Sequence, residues 1–175
     1  MHIFLQGLRN IGKSTVIHKT IEILSMNMPL KLGGFFTWNG GEADPHVYMQ
    51  SAQEGRKGEI YRVASWDKNN GGMLSSTETF DQIGVQMFSN VLLSDLIIMD
   101  ELGFLESNAV KFKKAIYDTL TLGIPVLGVL RLGDVPWHAE IKRNPLVSLF
   151  DVSEENREEL PGQLVKALFP TRIKD

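Results

Sequence analysis

The sequence predicts a three-layer α/β sandwich built on a mostly parallel sheet, with an antiparallel hairpin insertion. Three observations predict it. The chain opens as strand, glycine loop and helix: Ile3 to Leu5 is a short apolar run ending at Gly7, after which Val16, Ile17, Thr20, Ile21 and Leu24 recur at helical spacing. Two solid apolar blocks, Leu96 to Met99 and Val126 to Leu130, have the character of strands covered on both faces. Helical periodicities separate such blocks, and that alternation is what parallel strands with helical crossovers require.

The remaining elements follow in order. The first helix stops at Asn27 and Pro29. Lys31 to Trp38 and Glu59 to Trp66 are expected strands, the second running into the turn residues Asp67 to Gly72 before Met73. The polar, glycine-dotted stretch from Asn39 to Gly58 is expected to be a mobile excursion. From Phe80, the residues Ile83, Met87, Phe88, Val91 and Leu92 fall at helical intervals. Ser107 and Asn108 are candidate caps for a helix carrying Phe112, Ala115, Ile116 and Leu120, closed by Gly123 and Pro125. A short helix over Trp137 to Lys142, a strand over Val147 to Asp151 and a helix from Glu154, bent or restarted at Pro161, complete the chain. At 175 residues a single domain, 1–175, is the expectation.

Composition narrows the function. The formal net charge is −3 and the pI about 5.8, so bulk charge gives nucleic-acid binding no support. The chain has no cysteine, which removes disulfide frameworks and thiolate metal sites. Its first apolar run is too short for a signal peptide or a membrane span, so a cytoplasmic protein is expected. The histidines His2, His18, His46 and His138 show no metal-ligand spacing and are expected in packing or surface roles.

Gly7-Leu8-Arg9-Asn10-Ile11-Gly12-Lys13-Ser14 satisfies G-x-x-x-x-G-K-[ST] between a predicted strand and a predicted helix. A chance match to such a pattern is on the order of one per cent per chain, before the flanking elements are demanded. The chemistry explains the residue types. Glycines let backbone N–H groups wrap phosphates, the helix N-terminus favours anions, Lys13 reaches the terminal phosphates, and Ser14 is a Mg ligand. Thr15 follows within the same nucleotide-contacting stretch.

Asp100-Glu101 ends the most apolar block, where acids are costly without a cation or donor. At the carboxyl end of a strand both face the ligand crevice, Asp100 as a Mg ligand and Glu101 as the group that orients or deprotonates water. Gly103 lies just beyond, on the same rim. Arg131, after the strand ending at Leu130, is a candidate for neutralising charge on the transferred phosphoryl group; Arg9 and Arg56 compete for that role.

Beyond the glycine loop, Gly34-Phe35-Phe36-Thr37, Gly55-Arg56-Lys57-Gly58, Asp100-Glu101-Leu102-Gly103-Phe104-Leu105-Glu106 and Glu155-Asn156-Arg157 followed by Leu160-Pro161 complete a pattern. Through it the chain resembles, nearly end to end, the nucleoside-triphosphatase family of bacteria and archaea to which human cancer-related nucleoside-triphosphatase belongs. The resemblance implies a RecA-like P-loop fold, Mg as cofactor, and hydrolysis of ATP, GTP and other triphosphates with little base selectivity. It also implies that Asn156 and Arg157 lie near the base. The sequence departs from the family pattern at Leu8-Arg9-Asn10, where a proline followed by a glycine is usual, at Phe104, where lysine is usual, and at Arg131, roughly the place of a histidine. Asn10 suits the loop because asparagine tolerates positive φ. A nucleotide or nucleoside kinase and a slow nucleotide-dependent switch are the alternatives to hydrolysis.

Overall fold

A computed structural model describes residues 1–53 and 57–170. Eight strands form one sheet: β1 (His2–Gln6), β2 (Leu32–Asn39), β3 (His46–Ser51), β4 (Ile60–Asp67), β5 (Gly72–Ser75), β6 (Leu96–Leu102), β7 (Val126–Leu130) and β8 (Val147–Asp151). Their order is β5-β4-β3-β2-β6-β7-β1-β8. The five strands from β2 to β8 in that order are parallel, and β3, β4 and β5 extend the sheet antiparallel from β2. The helices are α1 (Lys13–Asn27), α2 (Thr77–Thr79), α3 (Val110–Thr119), α4 (His138–Arg143) and α5 (Leu160–Leu168). Among the described residues no helix is long and apolar enough to cross a membrane.

The period-two alternation of the strands divides the core into two layers. Ile3 and Leu5 of β1, Leu96 and Ile98 of β6, and Leu127 and Val129 of β7 pack with Val16, Ile17 and Leu24 of α1 and Leu164 of α5. Phe4, Ile97, Met99, Val126 and Leu130 face the other way, against Phe80, Phe112, Ile116 and Ile141. This is the three-layer sandwich expected, with sequence-distant strands meeting at its centre.

Four local expectations change. The stretch expected to be a mobile excursion contains β3, whose Val47 and Met49 alternate with Tyr48 and Gln50, so the antiparallel insertion has a third strand beside the β4–β5 hairpin. The turn before β3 is tight: a Cβ on Gly40 would lie 2.5 Å from the Asp44 carboxylate. The helical run from Phe80 is a π-helical turn, Phe80–Gly84, that continues α2 and leads into helical residues 85–86, after which come turns and a short 3₁₀ segment, Val91–Leu93. Pro161 lies in the first turn of α5 rather than at a bend within a longer helix, and turns occupy 154–159.

The fourth change concerns α3, whose N-cap is Ala109 rather than Ser107 or Asn108 and supplies no side-chain acceptor. A distant acid does the capping instead: Asp81 Oδ1 accepts the Phe112 N–H at 3.0 Å. Asp81→Ala should therefore cost about 1 kcal/mol, the usual worth of a cap. At roughly 2–4 °C per kcal/mol for a chain of this size, a thermal melt should show a midpoint a few degrees lower. An unchanged midpoint would mean that the contact contributes nothing.

Candidate functional site

The site is assembled at the carboxyl ends of the parallel strands. β1 ends at Gln6, and the chain turns at Gly7, with φ 149°, where a Cβ would lie 2.7 Å from the Val152 carbonyl oxygen. Asn10 has φ 62° and Gly12 φ 108°, so the loop curls tightly before α1 starts at Lys13. That curl aims the unpaired N–H groups of the first helical turn at one space. Lys13 is buried, and its Nζ donates to the carbonyls of Gly7 at 2.9 Å and Leu8 at 2.8 Å. Burial pushes its pKa down and the charges of Glu101 and Asp100 oppose that shift, while nearby Arg131 adds to it.

Asp100 is buried at the end of β6 and accepts a hydrogen bond from the Ser14 hydroxyl. Burial raises its carboxyl to about 7; the Ser14 bond and Lys13 oppose the rise and the charge of Glu101 adds to it. Ser14 and Asp100 are hard oxygen donors held together, and the buried acid is poor in compensating charge. Both facts fit Mg, which takes one or two protein oxygens and completes its shell with phosphate and water.

Glu101 is half-buried at the rim. Its backbone N–H donates to Thr37 Oγ1 at 3.0 Å, and its Oε1 lies 3.5 Å from a guanidinium nitrogen of Arg131. Glu106 is fully buried and accepts the Gly103 N–H at 2.8 Å. Burial raises its carboxyl to about 7, with two backbone hydrogen bonds and Arg131 opposing and Glu101 adding. The Gly103 carbonyl accepts the Trp137 indole N–H at 2.9 Å, so this residue is pinned from both sides.

A cleft of about 600 Å³ joins these parts. Gly7, Arg9, Asn10, Gly12, Lys13, Ser14, Thr15, Asp100, Glu101 and Arg131 line it, which brings most of the sequence-predicted site together. Leu8 is exposed outside that lining and enters through its carbonyl alone. The carbonyl of Ile11 accepts from Arg157 at 3.3 Å, so Arg157 braces the back of the loop. Asn156 uses its amide within its own turn, accepting from the Ser153 N–H and donating to the Asp151 carbonyl. Arg56 lies outside the described residues. Sequence alone gives Thr37 and Glu106 no role of their own and reads Trp38 as core, whereas Trp38 is partly exposed and lines the cleft. Thr37 and Glu106 lie in motif strings but carry no signature of their own, whereas Trp38 reaches the rim because β2 pairs with β6.

The glycine loop opening a helix, the paired acids two strands away and the cleft between them define a P-loop nucleotide-binding α/β protein. Residues 2–165 match the family model described as NTPase, and the chain belongs to that family. It is 29% identical over 167 residues to the nucleoside-triphosphatase THEP1 of Methanosarcina barkeri, covering 94% of this chain and 95% of that one. It is 26% identical over 188 residues to the human cancer-related nucleoside-triphosphatase, covering 98% of both. The crystal structure of THEP1 from Aquifex aeolicus superposes with a TM-score of 0.76 over 96% of this chain and 99% of that one. At 20% identity, that likeness shows the shared fold.

Proposed function

We propose that this chain hydrolyses nucleoside triphosphates to the diphosphate and phosphate with Mg, acting as one unit over residues 1–175. The observation that carries the reading is the convergence of Lys13, Ser14, Asp100 and Glu101 on one cleft at the end of a phosphate-binding loop. The backbone of residues 7–15 holds the phosphates, and Lys13 exchanges the carbonyls of Gly7 and Leu8 for phosphate oxygens. Ser14 and Asp100 would hold Mg, which supplies charge neutralisation on the phosphates when bound. Glu101 orients a water and accepts its proton as the water oxygen attacks the γ-phosphorus and the bond to the β-phosphate oxygen breaks. Arg131, at the same rim, faces the charge on the phosphoryl group in flight. Asn156, whose amide is engaged, and Arg157, behind the loop, contribute to the base side through the position of their turn.

Hydrolysis is favoured over transfer because the acid beside Asp100 already has its N–H fixed by Thr37, leaving its carboxylate to serve a water. The names of the relatives that span nearly the whole chain support the same choice. The test is phosphate release from ATP, GTP, CTP and UTP in Mg buffer. Turnover with all four, within about tenfold of one another, is expected because most of the residues assigned to binding, the 7–15 loop with Asp100 and Glu101, serve the phosphates and Mg rather than the base. Release from a single triphosphate would overturn the low base selectivity, and release from none would overturn the hydrolase.

A further inference from the structure

We propose that Phe104 is a positioning residue for the proposed hydrolysis: its ring holds the Arg131 guanidinium at the cleft without consuming any of its hydrogen-bond donors. The inference rests on the hydrolase reading and on Arg131 acting at the phosphoryl group.

The geometry begins with sheet register. β6 and β7 run parallel with Leu102 opposite Leu130, and the Arg131 N–H donates to the Leu102 carbonyl at 2.9 Å, so Arg131 starts beside Gly103. The Arg131 stem crosses Gly103 closely: a Cβ there would lie 3.1 Å from Arg131 Cδ. Beyond it the guanidinium carbon sits 4.6 Å from the centroid of the Phe104 ring, within the range of a cation–π contact. Three residues at the end of β6 and just beyond it thus build the seat: Gly103 makes room for the stem, Phe104 presents an aromatic face, and Glu101 lies at 3.5 Å.

Chemistry distinguishes the last two. A carboxylate holding an arginine occupies N–H donors, and those donors are what a phosphoryl oxygen needs. An aromatic face holds the cation through its quadrupole and leaves all five N–H groups directed outward in the guanidinium plane. Phe104 can therefore keep Arg131 in place while Glu101 turns to the water. Phe104 is 43% exposed, so it is no part of the core and loss of its ring should not unfold the chain.

The experiment measures kcat and KM for ATP hydrolysis in wild type, Phe104→Leu, Phe104→Trp, Arg131→Ala and the Phe104→Leu/Arg131→Ala double variant, with thermal midpoints as a folding control. Leucine keeps apolar bulk and removes the π face; kcat should fall roughly three- to tenfold, with KM within about twofold. Tryptophan should restore kcat to within about twofold of wild type. The double variant should match Arg131→Ala alone, because removing the seat of an absent arginine changes nothing. An unchanged kcat in Phe104→Leu beside an impaired Arg131→Ala overturns this proposal and leaves the hydrolase intact. Multiplicative losses in the double variant also overturn it. Full activity in Arg131→Ala removes the arginine's role and this proposal together, and a wild type that releases no phosphate overturns both readings.

Discussion

Glu101→Gln is expected to lower kcat for ATP hydrolysis by about a hundredfold to ten-thousandfold, the usual worth of a positioned general base, while ATP still binds. Glutamine keeps the length of the side chain and the backbone N–H bond to Thr37, so the strand end stays in place. What disappears is the negative charge that accepts a proton and faces Arg131 at 3.5 Å. Binding rests elsewhere, on the loop backbone and on Lys13, whose ammonium exchanges the Gly7 and Leu8 carbonyls for phosphate. Lys13→Ala should consequently fail in the opposite way, with ATP affinity lost along with turnover. The measurement pairs phosphate release with ATP titration calorimetry for both variants. Retained turnover in Glu101→Gln would remove the general base from this acid. Equal loss of affinity in both variants would instead make Glu101 part of the phosphate cradle.

The architecture was legible where sequence pattern and burial coincide. Leu96 to Met99 and Val126 to Leu130 are apolar at every position because both faces of β6 and β7 are covered, and a buried strand suits runs of that length best. The glycine loop was legible because phosphate binding demands particular residue types at fixed spacing, and the acids of β6 because they end an apolar block. What escaped was set by contacts between distant segments. β3 hid between polar turns, and its alternation gains meaning only once β2 offers an edge. The cap of α3 comes from Asp81, 31 residues before its acceptor's partner, so no local pattern could reveal it. Thr37 and Trp38 are near the site because β2 lies next to β6, a pairing that no motif encodes. Glu106 stood in a recognisable string, yet its full burial depends on the loop closing over it.

That burial leads to the second large effect. Glu106 has its carboxyl raised from its ordinary value to about 7, first by desolvation, so the folded chain binds a proton there that the unfolded chain releases near 4.5. Between those two values the native state holds more protons, and raising the pH through that window lowers stability; above about 7 the loss is complete. Glu106→Gln removes the titration while its amide oxygen can still accept the Gly103 N–H. The variant should match wild type near pH 4.5 and become progressively more stable toward pH 7, with a plateau above. A shift of this size corresponds to about 3 kcal/mol as an upper bound at 1.36 kcal/mol per unit, and roughly 1–3 kcal/mol is expected after local relaxation. Comparing variant with wild type at each pH isolates Glu106 from His138. Burial holds that histidine down to about 4, and it acts with the opposite sign, stability rising with pH between about 4 and 6.5. Urea denaturation of both proteins from pH 4.5 to 8.5 measures the difference curve. A flat curve would mean that Glu106 ionises in the folded chain as easily as in the unfolded one. A variant that is instead less stable than wild type as the pH rises would mean that the carboxylate is stabilised by Arg131 and its two backbone bonds more than burial disfavours it.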